Sequence, residues 1–136
     1  MAESKDILFI CGSNSCRSQM AEGFAKTLAF KGANISVMSA GTGASGIVNG
    51  DSIRVMKEVG IDISVNTSDQ LTDEMINASD IVITLGCCEA RDLCPPGYKG
   101  VMIDWDVEDP MGQPWEVMQR VRGDIEKRVR LLVEGL

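Results

Sequence analysis

Ile7-Leu8-Phe9-Ile10-Cys11-Gly12-Ser13-Asn14-Ser15-Cys16-Arg17-Ser18-Gln19-Met20-Ala21-Glu22-Gly23-Phe24-Ala25 passes from an unbroken apolar run, through a small polar loop, into a helical pattern. The apolar run predicts a buried strand. Ser18 to about Phe30 predicts a helix, with Met20, Phe24 and Leu28 on one face. The loop between them sits at a helix N-terminus, where successive backbone N–H groups converge on a tetrahedral oxyanion. Those amides and the Arg17 guanidinium stabilise a thiolate at Cys11. Arg17 can grip two oxygens as a planar fork, and Ser18 can donate a hydrogen bond to the sulfur. Cys-x5-Arg alone is short enough to recur by chance as a buried Cys and a surface Arg. The strand before it, the helix after it and Ser18 beside the Arg make it a nucleophile site.

Outward from this loop, apolar runs alternate with helical patterns, which predicts a parallel sheet covered by helices on both faces. Ile35–Ser39 predicts a second strand, Ile81–Leu85 a third and Val101–Ile103 a short fourth. Asp51-Ser52 reads as the cap of a helix through Val59, with Gly60 suited to its end. Thr72 opens a short helix ending near Ala78. The last helix spans about Pro114 to Glu134, with Val117, Val121, Ile125, Val129 and Leu132 at helical spacing and Pro114 in its first turn. Gly41–Gly50 reads as the most flexible loop. If the first and third strands are neighbours, their carboxyl ends bring Cys11 and the cysteines after Leu85 to one edge of the sheet.

The 136 residues fit a single domain, 1–136, without an internal repeat or linker. No stretch approaches the ~18 apolar residues of a membrane span. Met1-Ala2-Glu3-Ser4-Lys5-Asp6 lacks a signal-peptide core, so a cytoplasmic chain is the expectation. A net charge of −7 argues against nucleic-acid and membrane partners. The absence of histidine excludes Cys–His and Ser–His–Asp catalysis. Five cysteines (Cys11, Cys16, Cys87, Cys88, Cys94) in such a chain suggest thiol redox chemistry. Their spacing is poor for zinc.

The loop Cys11 to Gly23 resembles that of thiol-dependent arsenate reductases built on the low-molecular-weight tyrosine phosphatase fold. The resemblance continues through Ser39-Ala40-Gly41, Val59-Gly60-Ile61-Asp62-Ile63, Thr67-Ser68-Asp69, Thr84-Leu85, Glu108-Asp109-Pro110 and Arg120-Val121-Arg122. It implies an α/β three-layer sandwich with a four-stranded parallel sheet. It implies that Gly12, Ser13, Asn14, Ser15 and Cys16 form the oxyanion-binding loop, with Cys16 structural or able to form an inhibitory disulfide with Cys11. Asp109 would be the general acid, although Asp-Pro also begins ordinary turns.

Gly86-Cys87-Cys88-Glu89-Ala90-Arg91-Asp92-Leu93-Cys94-Pro95-Pro96-Gly97 decides between activities, because reducing arsenate takes two electrons, which two thiols supply by forming a disulfide. On the family pattern, Cys11 attacks arsenate, Cys87 attacks Cys11, and Cys94 then takes Cys87 into a disulfide, with thioredoxin or another thiol reductant as partner. Gly86 is an extra residue before Cys87, and Cys88 is an alternative resolving thiol. The Gly and Pro content suits a segment that moves.

Asn14, Glu22, Ser39, Thr67 and Asp69 match positions that brace the loop and hold potassium in some relatives; no tightly bound cofactor is expected. A monomer is expected. One alternative is a phosphatase of the same fold hydrolysing phosphomonoesters through a phosphocysteine. Met111-Gly112 after Pro110, in place of aromatics, weakens a phosphotyrosine substrate. A non-catalytic thiol sensor is the other alternative.

Overall fold

The computed structural model describes residues 4–136. The part of the N-terminal reading that falls on Met1–Glu3 lies outside the described residues. The chain forms β1 (Lys5–Cys11), α1 (Arg17–Phe30), β2 (Ile35–Gly41), α2 (Gly50–Lys57), α3 (Asp73–Asn77), β3 (Ile81–Leu85), α4 (Ala90–Leu93), β4 (Val101–Trp105) and α5 (Trp115–Glu134). All strand pairs are parallel, in the order β2-β1-β3-β4.

Both faces of the inner strands are covered, which explains the unbroken apolar runs of β1 and β3. Successive side chains of a strand alternate between faces. Ile7 and Phe9 therefore join one core with Met20, Phe24, Met56, Val121, Ile125 and Val129 from α1, α2 and α5. Leu8 and Ile10 join a second with Val82, Ile76 and Ala90, under α3 and α4. This is the three-layer α/β sandwich expected.

Several boundaries differ from the sequence reading. Asn49, not Asp51-Ser52, caps α2: its side chain accepts from the Asp51 and Ser52 amides at 2.9 and 3.1 Å. The helix closes at Lys57. Gly60, at φ +80°, completes its end as Gly60 N–H donates to Lys57 and Ile61 N–H to Met56. Pro114 precedes α5 as its cap instead of occupying the first turn. The buried face of α5 is Met118, Val121, Ile125 and Val129, with Val117 and Leu132 only half-buried at its edge. Within the segment read as a mobile loop, residues 90–93 form one helical turn. The Ala90 amide donates to Asp104 Oδ1 at 2.8 Å, a tertiary cap that no local pattern signals.

Because β1 lies between β2 and β3, the chain leaves β1 toward one side and returns to the other. A crevice therefore opens beyond the carboxyl ends of β1 and β3, the usual place for a ligand in such a sheet.

Candidate active site

Cys11 ends β1 and Arg17 begins α1, so the five residues between them must turn the chain from sheet to helix. Asn14 takes φ +50°, a left-handed conformation that Asn tolerates better than most residues and that curls successive amides into a nest. The outer side of the loop explains its inner side. Thr42, Gly43, Ser45 and Asn49 amides donate to the carbonyls of Cys11, Gly12, Ser13 and Ser15 at 3.2, 2.8, 3.0 and 2.9 Å. Gln19 Nε2 donates to the remaining carbonyl, that of Asn14, at 3.0 Å. In a trans peptide the N–H points opposite the preceding C=O. Carbonyls drawn outward therefore turn the amides of residues 12–16 inward. The segment expected to be the most flexible is the strap that performs this.

Cys11 is 2% exposed, and its Sγ lies 2.9 Å from Ser18 Oγ. The direction of that bond follows from the neighbours. Asn14 Oδ1 accepts from the Asp69 amide at 2.8 Å, which fixes the orientation of its side-chain amide. Asn14 Nδ2 then donates to Ser18 Oγ at 2.7 Å and to Ser39 Oγ at 2.9 Å. Ser18 accepts from Asn14, so its own proton is free for the Cys11 sulfur.

Arg17 Nη1 donates to the Val107 carbonyl at 3.1 Å, and Nη2 stands 4.0 Å from Asp109 Oδ2. Asp109 is more than half exposed, at the mouth of the loop, and also accepts from the Met111 amide at 3.1 Å. The Asp-Pro turn and the position beside Arg17 thus coexist in one residue.

Cys16 is buried. Burial chiefly, opposed by the Ser52 hydroxyl, pushes its thiol up to about 11. Such a thiol stays protonated near neutrality, which agrees with a structural residue.

The second thiol segment reaches the same edge. Cys87 Sγ lies 3.9 Å from the carbonyl oxygen of Ile10, the residue before Cys11. Cys87 and Cys88 are joined in a disulfide, while Cys11, Cys16 and Cys94 are free. The Cys94 amide is held by the Ala90 carbonyl at the end of α4, whereas Cys88 adjoins Cys87 in the chain. Burial first, then the nearby Asp104 carboxylate, raises the Cys94 thiol.

Among the residues matched to a potassium site, Glu22 is 6% exposed and has both oxygens engaged. Ser39 donates to Oε1, and the Lys26 ammonium stands 2.5 Å from Oε2. Thr67 Oγ1 donates to Asp69 at 2.8 Å. In this arrangement Lys26 supplies a positive charge beside Glu22. Among the described residues no group of three or more Cys, Asp or Glu is placed to hold a metal.

Four contributors lay outside the sequence reading. Gln19 also donates to the Thr67 carbonyl at 2.9 Å, tying the loop to residues 66–69. Ser68 Oγ donates to the Ser13 carbonyl at 3.1 Å. The Val107 carbonyl holds Arg17, and Asn49 fastens the strap. A buried Gln in a first helical turn is a usable signal for the first; a backbone carbonyl carries none.

Comparison with known proteins agrees with this geometry. The chain is 44% identical over 135 residues to arsenate reductase 1 of Bacillus cereus, covering 98% of each. It is 48% identical over 128 residues to arsenate reductase 1 of Staphylococcus epidermidis, covering 93% of this chain and 94% of that one. A solved arsenate reductase in the reduced state superposes with a TM-score of 0.82 at 44% identity, covering 97% of this chain and 98% of the other. Residues 6–136 match the family model described as low molecular weight phosphotyrosine protein phosphatase. With that match spanning nearly its whole length, the chain belongs to the low molecular weight phosphotyrosine protein phosphatase family.

Proposed function

We propose that this protein reduces arsenate to arsenite with Cys11 as nucleophile and a thiol of the 86–97 segment as its resolving partner. The observation that carries the reading is the meeting of two thiol-bearing segments at the carboxyl ends of adjacent parallel strands, with Cys87 Sγ 3.9 Å from the carbonyl beside Cys11. A phosphatase of this fold has no use for the second segment.

In the proposed sequence, the Cys11 thiolate attacks arsenic while the loop amides and Arg17 balance the oxyanion's charge. Asp109 protonates the departing oxygen, which leaves as water. Cys87 thiolate then attacks the Cys11 sulfur. The sulfur–arsenic bond breaks, its electron pair stays on arsenic, and arsenite departs as a Cys11–Cys87 disulfide forms. Two thiols are oxidised and arsenic gains two electrons. A further thiol, Cys94 on the family pattern, attacks Cys87 and frees Cys11. Thioredoxin or another dithiol reductant restores the reduced enzyme by exchange. The Cys87–Cys88 pair makes Cys88 the competing resolver. No helix is long and apolar enough to cross a membrane among the described residues, and the proposed setting is the cytoplasm.

The test is single-turnover reduction of arsenate by pre-reduced protein, with thiols counted and disulfides mapped. Arsenite with the loss of two thiols supports the relay. Hydrolysis of an aryl phosphate with no arsenite and no thiol loss moves the assignment to the phosphomonoesterase, the second reading, which Cys11, Arg17, Ser18 and Asp109 suffice to support.

A further inference from the structure

Gly86 stands between β3 and the thiol segment, at φ +83°. Left-handed backbone alone would favour glycine there. The surroundings impose a second and independent demand. A Cβ at Gly86 would press on the carbonyl oxygen of Val107 and come within 2.7 Å of Arg17 Nη1. These two atoms are the partners of the 3.1 Å hydrogen bond that holds the guanidinium. Val107 is 2% exposed, and the Arg17 side chain is 13% exposed, so neither has open solvent to move into. Gly97 provides the contrast within the same segment: its φ is +87°, yet a Cβ there would meet nothing within 4 Å.

We propose that Gly86 is a positioning residue of the oxyanion site: its missing side chain is the space in which Arg17 closes on the Val107 carbonyl and holds its fork at the Cys11 loop. The inference rests on the reading of that loop as an oxyanion site and holds for reductase and phosphatase alike. It also gives the extra residue before Cys87 a purpose. The chain leaves β3 by a left-handed step that passes beside Arg17 without touching it, and only then presents its thiols.

The experiment is titration of pre-reduced protein with inorganic phosphate, together with thermal unfolding, for the wild type, Gly86→Ala, Gly97→Ala, Arg17→Lys and Arg17→Lys/Gly86→Ala. Both glycine variants should lose thermal stability, because both force alanine to a positive φ. Only Gly86→Ala should weaken phosphate, by about tenfold or more, as a misaimed charge-assisted fork does. In the Arg17→Lys background the further change on Gly86→Ala should fall to about twofold or less, since no fork remains to be misaimed. With arsenate, Gly86→Ala should raise KM more than it lowers kcat. Should Gly86→Ala prove too unstable to titrate, the double variant should be the more stable of the two, because one of the two obstructing groups has gone while the Val107 carbonyl and the positive φ remain. Equal weakening by both glycine variants, an undiminished effect in the Arg17→Lys background, or a double variant no more stable than an unfolded single one would overturn the proposal. Wild-type protein that binds no phosphate would overturn the oxyanion reading beneath it.

Discussion

The Cys11 loop and the 86–97 segment carry cysteines at the ends of adjacent strands, yet they are built on opposite principles. In the loop, every carbonyl from Cys11 to Ser15 accepts a hydrogen bond from outside it, and Asn14 and Ser18 are wholly buried. In the thiol segment, one four-residue turn is tied to the sheet through Ala90 and Asp104, while Cys87, Cys88 and Cys94 are only partly buried. Protein groups outside the loop hold the first region in shape, which is what preorganised charge stabilisation needs. The second has fewer ties and more exposed backbone, which suits the proposed transfer of a disulfide away from the nucleophile. The lesson is that one catalytic cycle uses a rigid half for binding and a yielding half for electron transfer.

The contrast can be broken by substitution, beginning where the expected effect is largest. Cys11→Ser should lower arsenate reduction about a thousandfold or more, as removal of a nucleophile does. Retained arsenite release would place the nucleophile in the other segment and reverse the assignment of the two regions. Cys87→Ser should keep phosphate binding while abolishing multiple turnover. If Cys88→Ser does so instead, the resolving thiol is the adjacent one. Cys94→Ser should release about one equivalent of arsenite and then stall, with disulfide mapping finding Cys11–Cys87. Normal cycling by Cys94→Ser would show that the disulfide leaves through Cys88.

Two smaller effects sharpen the rigid side. Asn14→Ala removes the bonds to Ser18, Ser39 and Asp69 and puts alanine at φ +50°. It should cost about 2–4 kcal/mol of stability in denaturant unfolding, more than a single lost hydrogen bond. Cys16 gives the smallest change, seen only in alkali. Its folded thiol titrates at about 11 against 9.0 in the unfolded chain. Below pH 9 both forms are protonated and its contribution is whole. As pH rises through 9 and past 11 the unfolded chain ionises first, so about 3 kcal/mol of stability drains away. Cys16→Ala should flatten the loss of thermal stability over that window; an unchanged slope would leave Cys16 out of the buried framework.

Legibility in the sequence followed the range of the interactions. The strand–loop–helix around Cys11, the third strand and the capping by Gly60 were readable because apolar periodicity and turn chemistry are local. The cap of α2 was misplaced by two residues because Asn49, Asp51 and Ser52 all suit the role, and the choice depends on which backbone the loop can present. The strap at 42–49 read as flexible because its glycine and serine content is that of a loop. Its order comes from carbonyls some 30 residues earlier in the chain. Helix α4 was missed because its first amide is capped by Asp104, on another strand.

The sequence by itself determined the chemical parts and their order: a thiol and guanidinium spaced for an oxyanion nest, a second group of thiols after the third strand, and the alternation that makes a parallel sheet. Those are properties of residue type and short spacing. The tertiary structure decided which atoms face one another. It set β3 beside β1, turned the loop amides inward by satisfying their carbonyls from outside, aimed the Ser18 proton through Asn14, and laid Arg17 on a carbonyl past a residue without a side chain. These depend on contacts between distant segments, whose geometry exists only once the core has packed.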